Sequence, residues 1–116
     1  MTDYINRIDR IRKEMIQEGY SEITPQEIEI YAAVGSQTYS SLCDFSFRYA
    51  CKVYEYLNLD KKGQEFEKNA KITRKSILTK VANLIKKGQK ELVKKLILTD
   101  EEILDSIKEE WKKDRF

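Results

Sequence analysis

Residues 39–57 read YSSLCDFSFRYACKVYEYL, and this stretch decides the fold. Leu42, Cys43, Ser46, Tyr49, Ala50, Val53 and Leu57 keep helical spacing, while Phe45, Phe47, Tyr54 and Tyr56 add bulk on the flanking faces. A helix that is apolar on more than one flank must meet neighbours on more than one side. It is therefore expected to be the most buried helix, with the others packed around it. A strand would need apolar and polar residues alternating with period two, and no part of the chain sustains that pattern. The expected fold class is all-α, a compact bundle of four to six helices forming a single domain over residues 1–116.

On the N-terminal side, Tyr4, Ile8, Ile11 and Met15 recur at spacings of four, three and four, with Ile5 and Ile16 widening the stripe. This predicts an amphipathic helix that stops near Gly19. Thr24-Pro25-Gln26-Glu27 then supplies an N-cap hydroxyl, a proline at the first helical position and a glutamate placed to close a capping box. A helix is expected from Pro25, carrying Ile28, Ile30, Tyr31, Ala32 and Val34 to a kink or short break at Gly35-Ser36-Gln37.

On the C-terminal side, Asn58-Leu59-Asp60 reads as a turn, with Asp60 capping a long helix from about Lys61 to Lys87 that Gly88 ends. Its apolar positions are Phe66, Ala70, Ile77, Val81 and Leu84. A short amphipathic turn or helix follows over Glu91–Ile97. Thr99-Asp100-Glu101-Glu102 repeats the capping-box pattern before a final helix faced by Ile103, Leu104, Ile107 and Trp111.

The bulk composition excludes several classes. No run of about 18 apolar residues is present, and the first residues lack the basic and apolar blocks of a secretory signal, so a cytoplasmic protein without a membrane segment is expected. Cys43 and Cys51 sit eight apart in one expected helix, roughly 12 Å along its axis, beyond disulfide reach. They read as free, buried thiols in a reducing compartment. Abundant Lys, Glu and Ile with no His suits a heat-adapted organism.

Catalytic patterns are absent from the sequence. There is no Gly-rich phosphate loop, no histidine for a triad and no metal-ligand spacing, so no enzyme, cofactor or metal is expected. A small enzyme would require a pocket with convergent polar groups that no motif announces. The carboxylates Glu27 and Glu29, and Asp100, Glu101, Glu102 and Asp105, fall in the first turns of expected helices, where the macrodipole favours negative charge.

Charge is segregated along the chain. Residues 1–67 hold 8 basic and 12 acidic side chains, residues 68–95 hold 10 and 1, and residues 96–116 hold 4 and 7, within a total of +2. The basic block comprises Lys68, Lys71, Arg74, Lys75, Lys80, Lys86, Lys87, Lys90, Lys94 and Lys95. Lys68, Lys71 and Lys75 share one line on a helix with Arg74 close by, a track along which phosphates could be followed; the alternative is a solvated face balanced by acidic segments. Lysine outnumbers arginine here, so contact with nucleic acid would be blind to base sequence.

The aromatic residues Tyr39, Phe45, Phe47, Tyr49, Tyr54 and Tyr56 fit core, protein interface or base stacking, in that order. The chain's seven tyrosines exceed what one bundle needs inside. Tyr39, Phe45, Phe47, Tyr54, Tyr56 and Trp111 are therefore the candidate partner interface.

The order of these features resembles the α-helical A domain of the archaeal GINS proteins. Arg12-Lys13-Glu14, Ile23-Thr24-Pro25 and Ile30-Tyr31 are similar to that family's charged first helix, isoleucine-proline turn and following aromatic. Glu67-Lys68-Asn69-Ala70, Arg74, Lys80-Val81-Ala82 and Leu98-Thr99-Asp100-Glu101-Glu102 stand in the order of its later stations, although the Arg74 to Lys80 interval is spaced differently. The resemblance implies a non-catalytic subunit whose helices pack against a sister protein in a DNA replication helicase assembly; independently of it, a protein partner or a homo-oligomer is expected. The alternative is a small nucleic-acid-binding helical protein of viral or plasmid type, acting through residues 68–95.

Overall fold

Helix ends fall where the chain offers caps. The computed structural model describes the backbone of residues 2–115 and the side chains of residues 6–111; Tyr4 and Ile5 of the first stripe lie outside the described side chains. Five α-helices result: α1 (Thr2–Gln17), α2 (Pro25–Val34), α3 (Ser36–Tyr56), α4 (Gln64–Lys86) and α5 (Asp100–Arg115). A 3-10 helix over Lys90–Leu96 joins the last two. Among the described residues there is no strand, and the all-α bundle stands as expected.

α1 closes on Gly19, whose φ of 97° lets its N–H donate to the Ile16 carbonyl while the Tyr20 N–H donates to that of Met15. A residue with a Cβ would be strained there. Gly35 separates α2 from α3 at a single residue, with φ 87° and ψ 166°. Its N–H still bonds Tyr31 and its carbonyl still accepts from Tyr39, so the chain turns sharply without orphaning backbone groups.

Two expectations about caps need correction. α4 begins at Gln64, with Gly63 in the cap position, not near Lys61; the Asp60 carboxylate accepts instead from the Lys62 N–H within the preceding turn. The Thr24 box is half made: the Thr24 hydroxyl accepts from the Glu27 N–H at 3.2 Å, but the Glu27 carboxylate turns into the interior. At Thr99 both bonds form, the Thr99 hydroxyl accepting from the Glu102 N–H and the Glu102 carboxylate from the Thr99 N–H. These bonds hold the Glu102 carboxyl below its ordinary pKa.

α3 packs against α2, α4 and α5, which makes it the central helix its sequence predicts. Tyr39 and Leu42 join Met15, Ile30, Val81 and Val93 in the main core, all fully buried. Burying each of these aliphatic side chains contributes roughly 1.5–3 kcal/mol. Phe45 meets Ile103 and Ile107 of α5, and Ala50 and Tyr54 meet Phe66 of α4. Arg48 ties α3 to the start of α5, donating from Nη1 to the Leu98 carbonyl and to Asp100 Oδ1, both at 3.0 Å. Cys43 and Cys51 are free, and half-buried where full burial was expected.

The bundle measures 53 × 32 × 21 Å. Its thin dimension is about two helix diameters, so the long α4 buries one side and presents the other to solvent along its whole length.

Candidate nucleic-acid interface

α4 buries Phe66, Leu78, Val81 and Ala82 and points Lys68, Lys71, Lys75, Lys80 and Lys86 outward. The α4 terminus and the 3-10 helix continue the charge with Lys87, Lys90, Lys94 and Lys95, all exposed. Lys71 Nζ lies 3.7 Å from Glu22 Oε1, and both side chains are largely in solvent. Among the described residues none of the other eight lysines forms an ion pair. Lys68 and Lys86 are 18 positions apart, so the face runs roughly 27 Å along the helix axis. From Lys68 to Lys90 no acidic side chain interrupts it.

Arg74 departs from the sequence expectation. It is half-buried and turned inward, its Nη2 donating to Glu27 Oε2 at 2.8 Å and to Tyr39 Oη at 3.0 Å, and lying 3.9 Å from Cys43 Sγ. Tyr39 Oη in turn donates to Glu27 Oε2 at 2.6 Å. The three side chains come from α2, α3 and α4, so the network joins the central helices. Arg74 Nε is buried without a partner. Burial pushes the Cys43 thiol pKa up, with Arg74 acting in the opposite direction, which leaves the thiol a poor nucleophile.

The expected aromatic interface divides in the same way. Tyr39, Phe45 and Tyr54 are core residues, 0%, 5% and 6% exposed, because they face α2, α5 and α4 respectively. Tyr54 donates to the Glu65 carbonyl and accepts from Asn69 Nδ2, which locks it to the first turns of α4. Trp111 is half-buried against the Phe45, Ile103 and Ile107 cluster. Phe47 and Tyr56 remain exposed, Phe47 resting edge-on against Phe66.

Tyr31 hydroxyl sits 3.1 Å from both Glu14 Oε1 and Glu18 Oε1, binding α2 to α1. Desolvation, followed by these two carboxylate contacts, pushes its pKa up to about 12. Desolvation and the bond to Glu27 raise that of Tyr39 as well. Both groups are harder to ionise folded than unfolded, so their contribution is complete below pH 10 and is lost as pH rises through the folded values. Urea denaturation is expected to show stability beginning to fall above about pH 8.5, where the raised Cys43 thiol makes unfolding easier, and falling further above pH 10 as the tyrosines add to it. In a Tyr31→Phe, Tyr39→Phe double variant that fall should be shallower; an unchanged alkaline slope would refute the assignment.

Two concavities flank these elements. One, of about 550 Å³, lies between α1 and α2 over Ile85, with Ile8, Ile11, Ile28 and Ala32 on its walls and Arg7 and Arg12 at its edge. The other, of about 450 Å³, lies among α3, α4, the 3-10 helix and α5, and both Lys80 and Lys95 line it. Among the described residues no three His, Cys, Asp or Glu side chains gather as they would around a metal ion, and no helix there is long and apolar enough to cross a membrane. No protein-family model, curated protein or solved structure matches this chain.

Proposed function

We propose that the chain is a non-catalytic helical module that holds the phosphate backbone of nucleic acid along the lysine face of α4 and the 3-10 helix. The carrying observation is that nine exposed lysines follow one another along α4 and the 3-10 helix, eight of them without an ion-pair partner among the described residues. Ammonium groups offer point charges without the planar fork that reads base edges, so binding is sequence-independent and dominated by counterion release. The two free cysteines suit a reducing, cytoplasmic setting. Titrating labelled DNA across a salt series should give an affinity that falls linearly on logarithmic axes. Absence of binding at low salt, or a flat salt profile, rejects the proposal.

The groove between α1 and α2 favours a second reading, a helical partner protein in an assembly of the GINS type. Its apolar floor, with Ile8, Ile11 and Ile28, is open beside the small side chain of Ala32. Ala32 is itself exposed, so Ala32→Glu should leave the fold intact while abolishing capture of any partner that the unaltered chain retains after nuclease treatment. Equal capture by both forms rejects this second reading.

A further inference from the structure

The 450 Å³ pocket among α3, α4, the 3-10 helix and α5 opens beside the lysine face, and its lining has three different characters. Phe45, Tyr49, Ile72 and Ile77 supply apolar surface. Lys80 and Lys95, both members of the basic block, supply positive charge. Glu110 supplies a carboxylate whose Oε2 accepts from the Tyr49 hydroxyl at 3.2 Å. The volume is that of a small-molecule site, about 300–1,000 Å³.

We infer that this pocket receives one unpaired base of a single-stranded nucleic acid while the adjoining lysines hold its phosphates. The inference rests on the lysine-face reading and adds the form of strand bound. An apolar cleft with a carboxylate on its wall and ammonium groups beside it matches a nucleotide, which has a flat apolar base, an amino edge and an anionic backbone. A carboxylate accepts from an exocyclic amino group, as Asp and Glu do from the N4 amine of cytosine, whereas thymine has a carbonyl oxygen at that position and only its ring N3–H to donate. Ile72 fits the same reading: it is 57% exposed between Lys71 and Lys75, an apolar side chain at the pocket edge where a base would lie. A duplex must unpair and unstack a base before delivering it, so single strands bind in preference to duplexes of equal charge.

The test compares four labelled probes of equal charge: oligo-dC, oligo-dT and a strand with abasic sites throughout, all of one length, and a duplex of half that length. Binding is followed by fluorescence anisotropy at one salt concentration. Oligo-dC is expected to bind at least about tenfold more tightly than the abasic strand, in line with the worth of one buried base, and more tightly than oligo-dT or the duplex. Ser76 lines the pocket and is exposed, so Ser76→Trp should fill the space without disturbing the core, removing the advantage of oligo-dC while leaving abasic binding unchanged. Glu110→Ala should narrow the ratio of oligo-dC to oligo-dT. Equal binding of abasic and base-bearing strands by the unaltered protein overturns the pocket inference and leaves the lysine reading standing. Binding of none of the four overturns both.

Discussion

Exchanging Lys86, Lys87, Lys90, Lys94 and Lys95 together for glutamine lowers the affinity for duplex DNA at low salt by about a thousandfold and flattens its salt dependence. Each phosphate neutralised by a lysine contributes about 0.9 to the slope of log affinity against log salt, so losing five contacts removes up to about 4.5 from that slope. The five side chains are exposed and none has an ion-pair partner among the described residues, so no structural contact is broken along with the charge. Lys86 lies in the last turn of α4 and Lys94 and Lys95 in the last turn of the 3-10 helix, where cations favour the helix dipole by about 0.3–1 kcal/mol each. Relief of repulsion among the five offsets part of that loss, so thermal stability should change little. The exchange takes the formal net charge from +2 to −3. Part of any loss could then reflect total charge rather than place. Neutralising Arg7, Arg10, Arg12 and Lys13 of α1 makes a comparable change at the other end of the sequence. Anisotropy titrations should show that α1 variant keeping most of its affinity and slope. Equal losses in the two variants would mean that the lysine face has no special role, and an unchanged five-lysine variant would remove the proposed function.

The helices are legible in the sequence because their determinants are local. Thr24-Pro25 and Thr99 with Glu102 mark starts, and Gly19 and Gly88 mark ends through backbone bonds that span only a few residues. The centrality of α3 is legible for a related reason: apolar residues on more than one flank require more than one neighbour, and α2, α4 and α5 supply them. Which flank meets which neighbour is a non-local matter. Tyr39 and Phe47 look alike in sequence, yet one is fully buried against α2 and the other half in water. The Glu27–Arg74 pair is the clearest case. The partners are 47 residues apart, and each has a satisfactory local explanation, a capping glutamate and a member of a basic run. The single available signal is that Arg74 is the only arginine in a block otherwise made of lysine. A guanidinium is the cation that tolerates burial beside a carboxylate, which distinguishes it from the lysines that surround it. The α4 lysines needed no tertiary information beyond the side of α4 that is buried, and they emerge where the helical period places them.

Replacing Arg74 by methionine should destabilise the fold by about 3 kcal/mol, lowering the melting temperature by roughly 10 °C. The side chain of Glu27 is 9% exposed, and without the guanidinium its carboxylate retains one donor, the Tyr39 hydroxyl. A buried charge stripped of its partner typically costs 3–5 kcal/mol, and the low end applies because Arg74 itself is 29% exposed and water can enter the space it vacates. Glu27→Leu removes the acceptor instead, and the stranded guanidinium can turn toward solvent on its flexible stem, so this variant should lose less, about 2 kcal/mol. The double variant Glu27→Leu, Arg74→Met carries no buried charge and fills a similar volume, and it should recover to within about 1 kcal/mol of the unaltered protein. Urea denaturation of the four proteins closes this cycle. If the two losses simply add in the double variant, the pair is not coupled and the network has been misread. The same proteins also separate the two roles that the sequence allows for Arg74. Its Nη2 is committed to Glu27 and Tyr39 and its Nε is buried, so the double variant should bind DNA with close to the affinity and salt slope of the unaltered chain. A drop of about 0.9 in that slope would show instead that Arg74 reaches a phosphate, because one contact contributes that amount.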